Sequence, residues 1–239
     1  MKTPIQNVAA LSMPTSVTAT RSTVASQVYQ TIRESIINLR LAPGMSMSEH
    51  EMATTLGVSR TPVREAFIRL SREGLIVIYP QRCTVVSKIS LKRVVQERFL
   101  RESLERSVLE SFILAPTESG LKRMQEQIGI QRSCLERQDY EAFLLSDDRF
   151  HYVMYEETGN QLCNQIIRRN CHDYQRLRVL SAQASQEILR LNIEQHEKML
   201  AAIHERDILN AQALLCKHVR RVLREVEQLR IIQPEYIAD

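Results

Sequence analysis

The chain has no tryptophan, only six glycines in 239 residues, and aromatic side chains at 5% of positions. Runs of Val, Ile, Thr and aromatic residues are short, so helices are expected to dominate. No apolar run approaches the roughly 20 residues that span a bilayer. Lys2 is not followed by a continuous apolar core, so no signal peptide is expected. The five cysteines (Cys83, Cys134, Cys163, Cys171 and Cys216) are odd in number and lack C-x-x-C spacing. Free thiols in a reducing cytoplasm are the expectation. There is no H-E-x-x-H, no G-x-S-x-G and no phosphate-binding glycine loop. Aspartate is missing from the first ninety residues, which hold ten Lys/Arg against five Glu. The remaining residues hold 22 basic and 23 acidic side chains. A positive field confined to the N-terminal part favours a polyanion partner there and a different task for the rest.

With 44% hydrophobic and 25% charged residues, a soluble folded protein of one large or two modest domains is expected. Residues 1–22, rich in Thr, Ser, Ala and Pro without a period, read as a disordered tail. Val24, Val28, Ile32 and Ile36 mark one face of a helix, which Pro43-Gly44 ends. Ser48-Glu49-His50-Glu51 has the form of a capping box. It opens a short helix through Met52 and Leu56, and Gly57 stands where a left-handed residue commonly ends a helix. A second helix starts at Ser59 or Thr61, with Pro62 in its first turn. Val63, Phe67 and Leu70 face inward; Arg60, Arg64, Arg69 and Arg72 face elsewhere. Leu75–Tyr79 and Thr84–Val86 read as a hairpin around Pro80-Gln81-Arg82-Cys83. Residues 23–88 thus read as a winged helix-turn-helix.

Residues 90–232 read as an antiparallel all-α bundle of about six helices. The first is capped by Ser90, holds Val94, Val95, Phe99, Leu104, Val108 and Leu109, and ends at Pro116. Others start at Thr117 and Asp139, a fourth runs from Leu162 to about Leu180, and two more cover about 186–205 and 207–229. Asp207 caps the last of these. The fold class is mainly α, with a small β-hairpin wing.

For DNA, Arg60 and Arg64 at the mouth of the second helix are candidates for reading bases. Ser59 and Thr61 are candidates for phosphate contact from the helix N-terminus, and Gln81 and Arg82 could reach the backbone or minor groove from the wing. Arg69 and Arg72 read as a solvated face. One such module makes few base contacts, so two are needed, and a homodimer on a palindromic double-stranded operator follows.

The segment L-G-V-S-R-T-P-V-R-E-A (56–66), followed by E-G-L-I-V-I-Y-P-Q-R (73–82), resembles the recognition helix and wing of the GntR family of bacterial transcription regulators. Two departures stand out: Cys83 where the wing usually has Gly, and His50 where many members have an operator-holding arginine. The helical half is similar to the FCD effector domain of the FadR type, in its shorter VanR-like variant. Arg101-Glu102-Ser103-Leu104-Glu105, Asp147-Asp148-Arg149-Phe150-His151, Thr158-Gly159-Asn160, Glu194-Gln195-His196 and His218 carry that likeness.

The resemblance implies a transcription regulator, expected to be a repressor, whose operator affinity responds to a small organic acid. It also implies a divalent metal ion (zinc, nickel or manganese) held by Asp147, His151, His196 and His218. Asp147 and His151, four apart, share a helix face. His196 lies ten residues before Arg206 and His218 twelve after, so across a short turn the two are nearly level. Without the family pattern a D-x-x-x-H pair reads as solvated helix surface. By resemblance Arg101 could grip the effector carboxylate; an i,i+4 ion pair with Glu105 is the other reading. His172 and His204 read as surface residues, and Cys171 as a buried free thiol. Two alternatives stand beside the regulator: a metal-dependent enzyme fused to a DNA-binding module, and a repressor for which the metal itself is the signal.

Overall fold

The computed structural model describes residues 23–238; the tail expected at 1–22 lies outside the described residues. The chain divides into two compact units. One ends at Ser90 and also includes the chain from Gln233 onward; the other is Leu91–Ile232.

In the first unit, α1 (Val24–Ile37) is followed by the short strand β1 (Ser46–Met47), then α2 (Glu49–Leu56) and α3 (Arg60–Arg72). Val28, Ile32 and Ile36 are fully buried, whereas Val24, the first residue of the periodic series, is half exposed at the helix start. Each of those three burials is worth about 1.5–3 kcal/mol relative to exposure. The capping box forms as written: Ser48 Oγ accepts the Glu51 N–H at 3.1 Å, and Glu51 Oε2 accepts the Ser48 N–H at 3.1 Å. Gly57 ends α2 at φ 66°, a left-handed conformation that a side chain disfavours. Val63, Ala66, Phe67 and Leu70 of α3 face the core beside Met47, Met52 and Leu56.

β2 (Ile76–Tyr79) and β3 (Cys83–Val86) pair antiparallel from Ile76↔Val86 to Tyr79↔Cys83, and β1 joins the other edge of β3. The tight position of the wing is Gln81, at φ 60°, with the Arg82 N–H donating to the Tyr79 carbonyl at 3.1 Å. Cys83 is the first residue of β3, so the left-handed position precedes it and a glycine there is not required. Strand β4 (Ile89–Ser90) follows, and far along the chain β5 (Ile237–Ala238) pairs with it in parallel, Ile89↔Ile237 and Ser90↔Ala238. Ser90, expected as a helix cap, therefore closes a strand immediately before the next helix.

The second unit holds α4 (Leu91–Leu114), α5 (Glu118–Glu136), α6 (Tyr140–Glu157), α7 (Gln161–Asn170), α8 (His172–Ala184), α9 (Gln186–His204), α10 (Ile208–Arg224) and α11 (Val226–Ile232). Two expectations are corrected here. The helix read from Leu162 to Leu180 is two helices, broken at Cys171, whose ψ of 49° leaves the helical region. The pattern read over 207–229 is likewise two helices separated at Glu225, so the count exceeds six. Val95 and Phe99 face solvent, whereas Val94, Val108 and Leu109 of the same helix are buried. Caps form at Thr117, Asp139 and Asp207, each accepting from the backbone N–H three residues on. Phe112, Met124, Ile128, Phe143, Phe150, Leu177, Met199 and Leu215 are buried at 0% exposure. All five cysteines are free, and Cys171 is buried as expected. No helix among the described residues is long and apolar enough to cross a membrane.

Candidate functional site

Within the helical unit, α6 supplies Asp147 and His151 one turn apart, α9 supplies His196, and α10 supplies His218. The α9–α10 connection is short, with Arg206 left-handed at φ 56° and Asp207 capping α10, which sets His196 and His218 side by side. Their ring centroids are 4.7 Å apart. One potential ligand atom from each of the four residues falls in a set spanning at most 4.8 Å, and all four side chains are buried. His151 Nε2 lies 3.3 Å from His218 Nε2, and His196 Nε2 lies 3.6 Å from Asp147 Oδ1.

The surrounding hydrogen bonds decide which ring nitrogens face inward. His196 Nδ1 lies 2.9 Å from Gln131 Oε1, and His218 Nδ1 lies 3.0 Å from Gln195 Oε1. A carboxamide oxygen only accepts, so both Nδ1 atoms carry the proton and both Nε2 atoms present lone pairs. His151 Nδ1 faces Glu105 Oε2 at 3.5 Å, with no hydrogen bond between them. His196 Nε2 is buried without a hydrogen-bond partner. Phe150 stacks on the His196 ring at 4.2 Å and 21°, fixing its plane. Convergent imidazole lone pairs and one carboxylate oxygen suit a divalent first-row cation. The residues fit such an ion.

Electrostatics point the same way. Burial lowers the pKa of all three histidines, His196 to about 4 and the other two well below their ordinary range, so all three are neutral at pH 7. Burial alone would raise the Asp147 carboxyl, but Arg178, His196 and His151 hold it far below the usual range. Arg178 on α8 reaches Asp147 Oδ2 at 2.5 Å and Asp148 Oδ1 at 2.8 Å. Asp148 is therefore held by Arg178 at the rim. Arg178, Gln131, Gln195 and Glu105 all orient this cluster, and none was singled out from the sequence in that role. They lie on other elements or carry no motif; the closest hint was Gln195, adjacent to His196.

Arg101 is buried on α4, its Nε donating to Glu105 Oε1 at 2.8 Å, which realises the i,i+4 ion pair. Its Nη1 makes no hydrogen bond and remains buried. His172, expected at the surface, is buried: the break at Cys171 tucks the start of α8 beneath α4. There Glu97 Oε2 accepts the Tyr174 N–H at 2.8 Å and Oε1 accepts from Arg93 Nε at 2.7 Å. His204 is exposed, as expected.

Burial, with Asp173 adding to it, pushes the Glu97 carboxyl up to about 7 despite those bonds. Between the ordinary carboxylate range and pH 7, the folded protein holds a proton there that the unfolded chain has released. Stability therefore declines as pH rises through that window. Glu97→Gln keeps an acceptor and removes the ionisation. Its melting temperature relative to the natural chain is expected to be about 3 °C or more higher at pH 8 than at pH 5 by calorimetry. An equal difference at both pH values would refute the assignment.

In the first unit, His50, Ser59, Arg60, Thr61, Arg64, Gln81 and Arg82 are all exposed. Ser59 precedes α3 without a side-chain cap bond, leaving its hydroxyl available. Arg64 is held in a fork on Glu49 of α2, with Nε to Oε1 at 3.1 Å and Nη2 to Oε2 at 3.1 Å. Arg69 is not simply solvated: its guanidinium stacks over the Tyr29 ring at 3.7 Å, a cation–π contact that braces α3 on α1.

Comparison with known proteins covers both units. Residues 24–86 match the family described as "Bacterial regulatory proteins, gntR family", and residues 98–221 match the FCD domain. The chain is 32% identical over 209 residues to the HTH-type transcriptional repressor RspR of Escherichia coli, covering 87% of this chain and 90% of that one. It is also 32% identical over 218 residues to an uncharacterized HTH-type transcriptional regulator of Streptomyces ambofaciens, with 88% of each chain covered. Among solved structures, E. coli McbR/YncC superposes with a TM-score of 0.73 at 22% identity, over 87% of this chain and 98% of that one.

Proposed function

Starting from the fact that the chain belongs to the GntR family and carries an FCD domain, we propose that it is a metal-containing repressor controlled by a small organic acid. A DNA-binding transcription regulator is what the family membership establishes, and an enzyme is not. We assign operator binding to residues 23–88 and sensing and dimerisation to residues 90–232, acting in the cytoplasm as a homodimer on a palindromic site.

The observation that carries the sensor reading is the buried convergence of Asp147, His151, His196 and His218, with their inward atoms within 4.8 Å. These four residues would hold the cation, and zinc, nickel and manganese all accept such a donor set. When bound, the ion supplies open coordination positions that an organic carboxylate can complete. Arg101, whose Nη1 is buried without a hydrogen bond, is the protein's own contribution to receiving that carboxylate. Arg178 keeps Asp147 ionised and aimed. Glu105 splits its two oxygens between Arg101 and His151, so a ligand drawn to Arg101 also disturbs a metal-binding histidine. Because α6, α9 and α10 all contribute, a ligand there can alter the packing of three helices at once.

The test begins with an operator selected from random DNA by the full-length protein. Its affinity is then measured by gel shift across a metal titration, with and without a panel of di- and tricarboxylates. Release from DNA by an acid, only in metal-loaded protein, is the expected result. Affinity that follows the metal alone would make the ion the signal and overturn the acid-sensor reading. Equal affinity for a palindrome and a single half-site would overturn the dimer.

A further inference from the structure

We infer that the outer groove between α9 and α10 is a second ligand site, built for an organic anion with an aliphatic body. This open groove has a volume of about 300 Å³, against about 20 Å³ for the small pocket that reaches Asp147. That larger volume is at the scale of small-molecule sites.

Two antiparallel helices form its walls. Leu191 and Lys198 lie two turns apart on α9; Leu214 and Arg221 lie two turns apart on α10, as do Lys217 and Arg224. The floor is largely apolar, with Leu191 37% exposed there. Lys198, Lys217 and Arg224 form no ion pair among the described residues, and Arg221 lines the same groove. Two carboxylates, Glu194 and Glu225, stand against these four cations. Arg221 donates to the Ile188 carbonyl at 2.7 Å and to Asn192 Oδ1, yet its Nε is buried without a hydrogen bond. Glu225 Oε1 stands 3.9 Å from that Nε, an ion-pair distance too long for a hydrogen bond. A carboxylate seated by Lys217, one turn from Arg221 on α10, would be attracted by both, while its alkyl chain lies along the groove over the two leucines. The distance along α10 from Lys217 to Arg224 is about 10 Å, the span of a medium-chain acid.

The groove also backs onto the metal centre. Gln195, which sets the tautomer of His218, is part of its lining, and Arg221 and Glu225 line both the groove and the Asp147 pocket. An occupant therefore touches residues that position a metal-binding side chain without entering that site. Binding in the groove itself requires no metal.

The test is calorimetric titration of octanoate into full-length protein stripped with EDTA. Saturable binding of one octanoate per chain is expected, weakened about tenfold or more by the Lys198→Glu/Lys217→Glu pair, as for loss of charge-assisted contacts. Both lysines are outside the buried core, and circular dichroism checks that the pair folds. Arg224→Glu gives an independent reading of the other end and is expected to weaken binding in the same direction. Octanol, which has the chain without the charge, is expected to bind far more weakly. No binding of octanoate to natural protein, equal binding by the lysine variant, equal binding of octanol, or binding that appears only when metal is restored would each overturn the site. None of these outcomes bears on whether acids act through the metal in the proposed sensor.

Discussion

His196→Ala is expected to lose its metal during purification, falling from about one ion per chain to less than a tenth of that by elemental analysis. Losing even an outer partner of a metal-bound histidine typically costs about 10–100-fold in affinity, so losing a ligand costs at least as much. His196 is the most constrained of the three: it is fully buried, stacked on Phe150 and tied to Gln131. The ligand role is separated from packing by comparing melting temperatures. The natural protein is expected to be stabilised on adding zinc, by several degrees at concentrations far above Kd, and the variant not at all. A purely structural histidine would lower the apo melting temperature but leave the metal-dependent increment intact. Gln131→Leu is expected to fall between the two, because Nδ1 loses its acceptor while the ligand remains. Full metal content in His196→Ala would dismiss the site.

The second large effect is expected at the DNA. Arg64→Ala should weaken binding to a selected operator by about 10–100-fold and relax discrimination at one base position, the cost of a lost bidentate base contact. The fork between Arg64 and Glu49 explains why the loss should lie toward the upper end. Arg64 is largely exposed, so exchanging its carboxylate partner for a guanine edge costs little. Once the arginine is gone, Glu49 is left as an uncompensated negative charge at the mouth of α3, facing a polyanion. Glu49→Gln in the Arg64→Ala background is therefore expected to recover part of the affinity, without restoring base discrimination. Wild-type affinity in Arg64→Ala would misplace the recognition helix. His50→Ala should lower affinity more evenly across sequences, without relaxing discrimination at any one base position, as loss of a phosphate contact does.

The helix-turn-helix was legible because its signals are local. Ser48 and Glu51 cap each other, Gly57 takes the left-handed turn, and Val63, Phe67 and Leu70 repeat at helical spacing. None of these depends on the rest of the chain. The break at Cys171 was not legible, since neither glycine nor proline marks it and the apolar period runs on through it. The burial of His172 followed from that break and was missed with it. Val95 and Phe99 fit a helical period yet face solvent, because α4 buries charged residues in their place: Glu97, Arg101 and Glu105. Composition alone favours the opposite choice. The four inward residues of the centre could be placed from spacing and resemblance. Their supports could not, because Gln131, Arg178 and Glu105 come from α5, α8 and α4 and meet the cluster only through tertiary packing.

The pairing of Ile237 and Ala238 with Ile89 and Ser90 also has a bearing on synthesis. Translation runs from the N-terminus, and domains generally fold as they emerge. Here the unit that begins first receives its final strand last, after the whole helical bundle has been made. A chain halted anywhere before residue 237 leaves Ile89 and Ser90 without the strand that pairs with them.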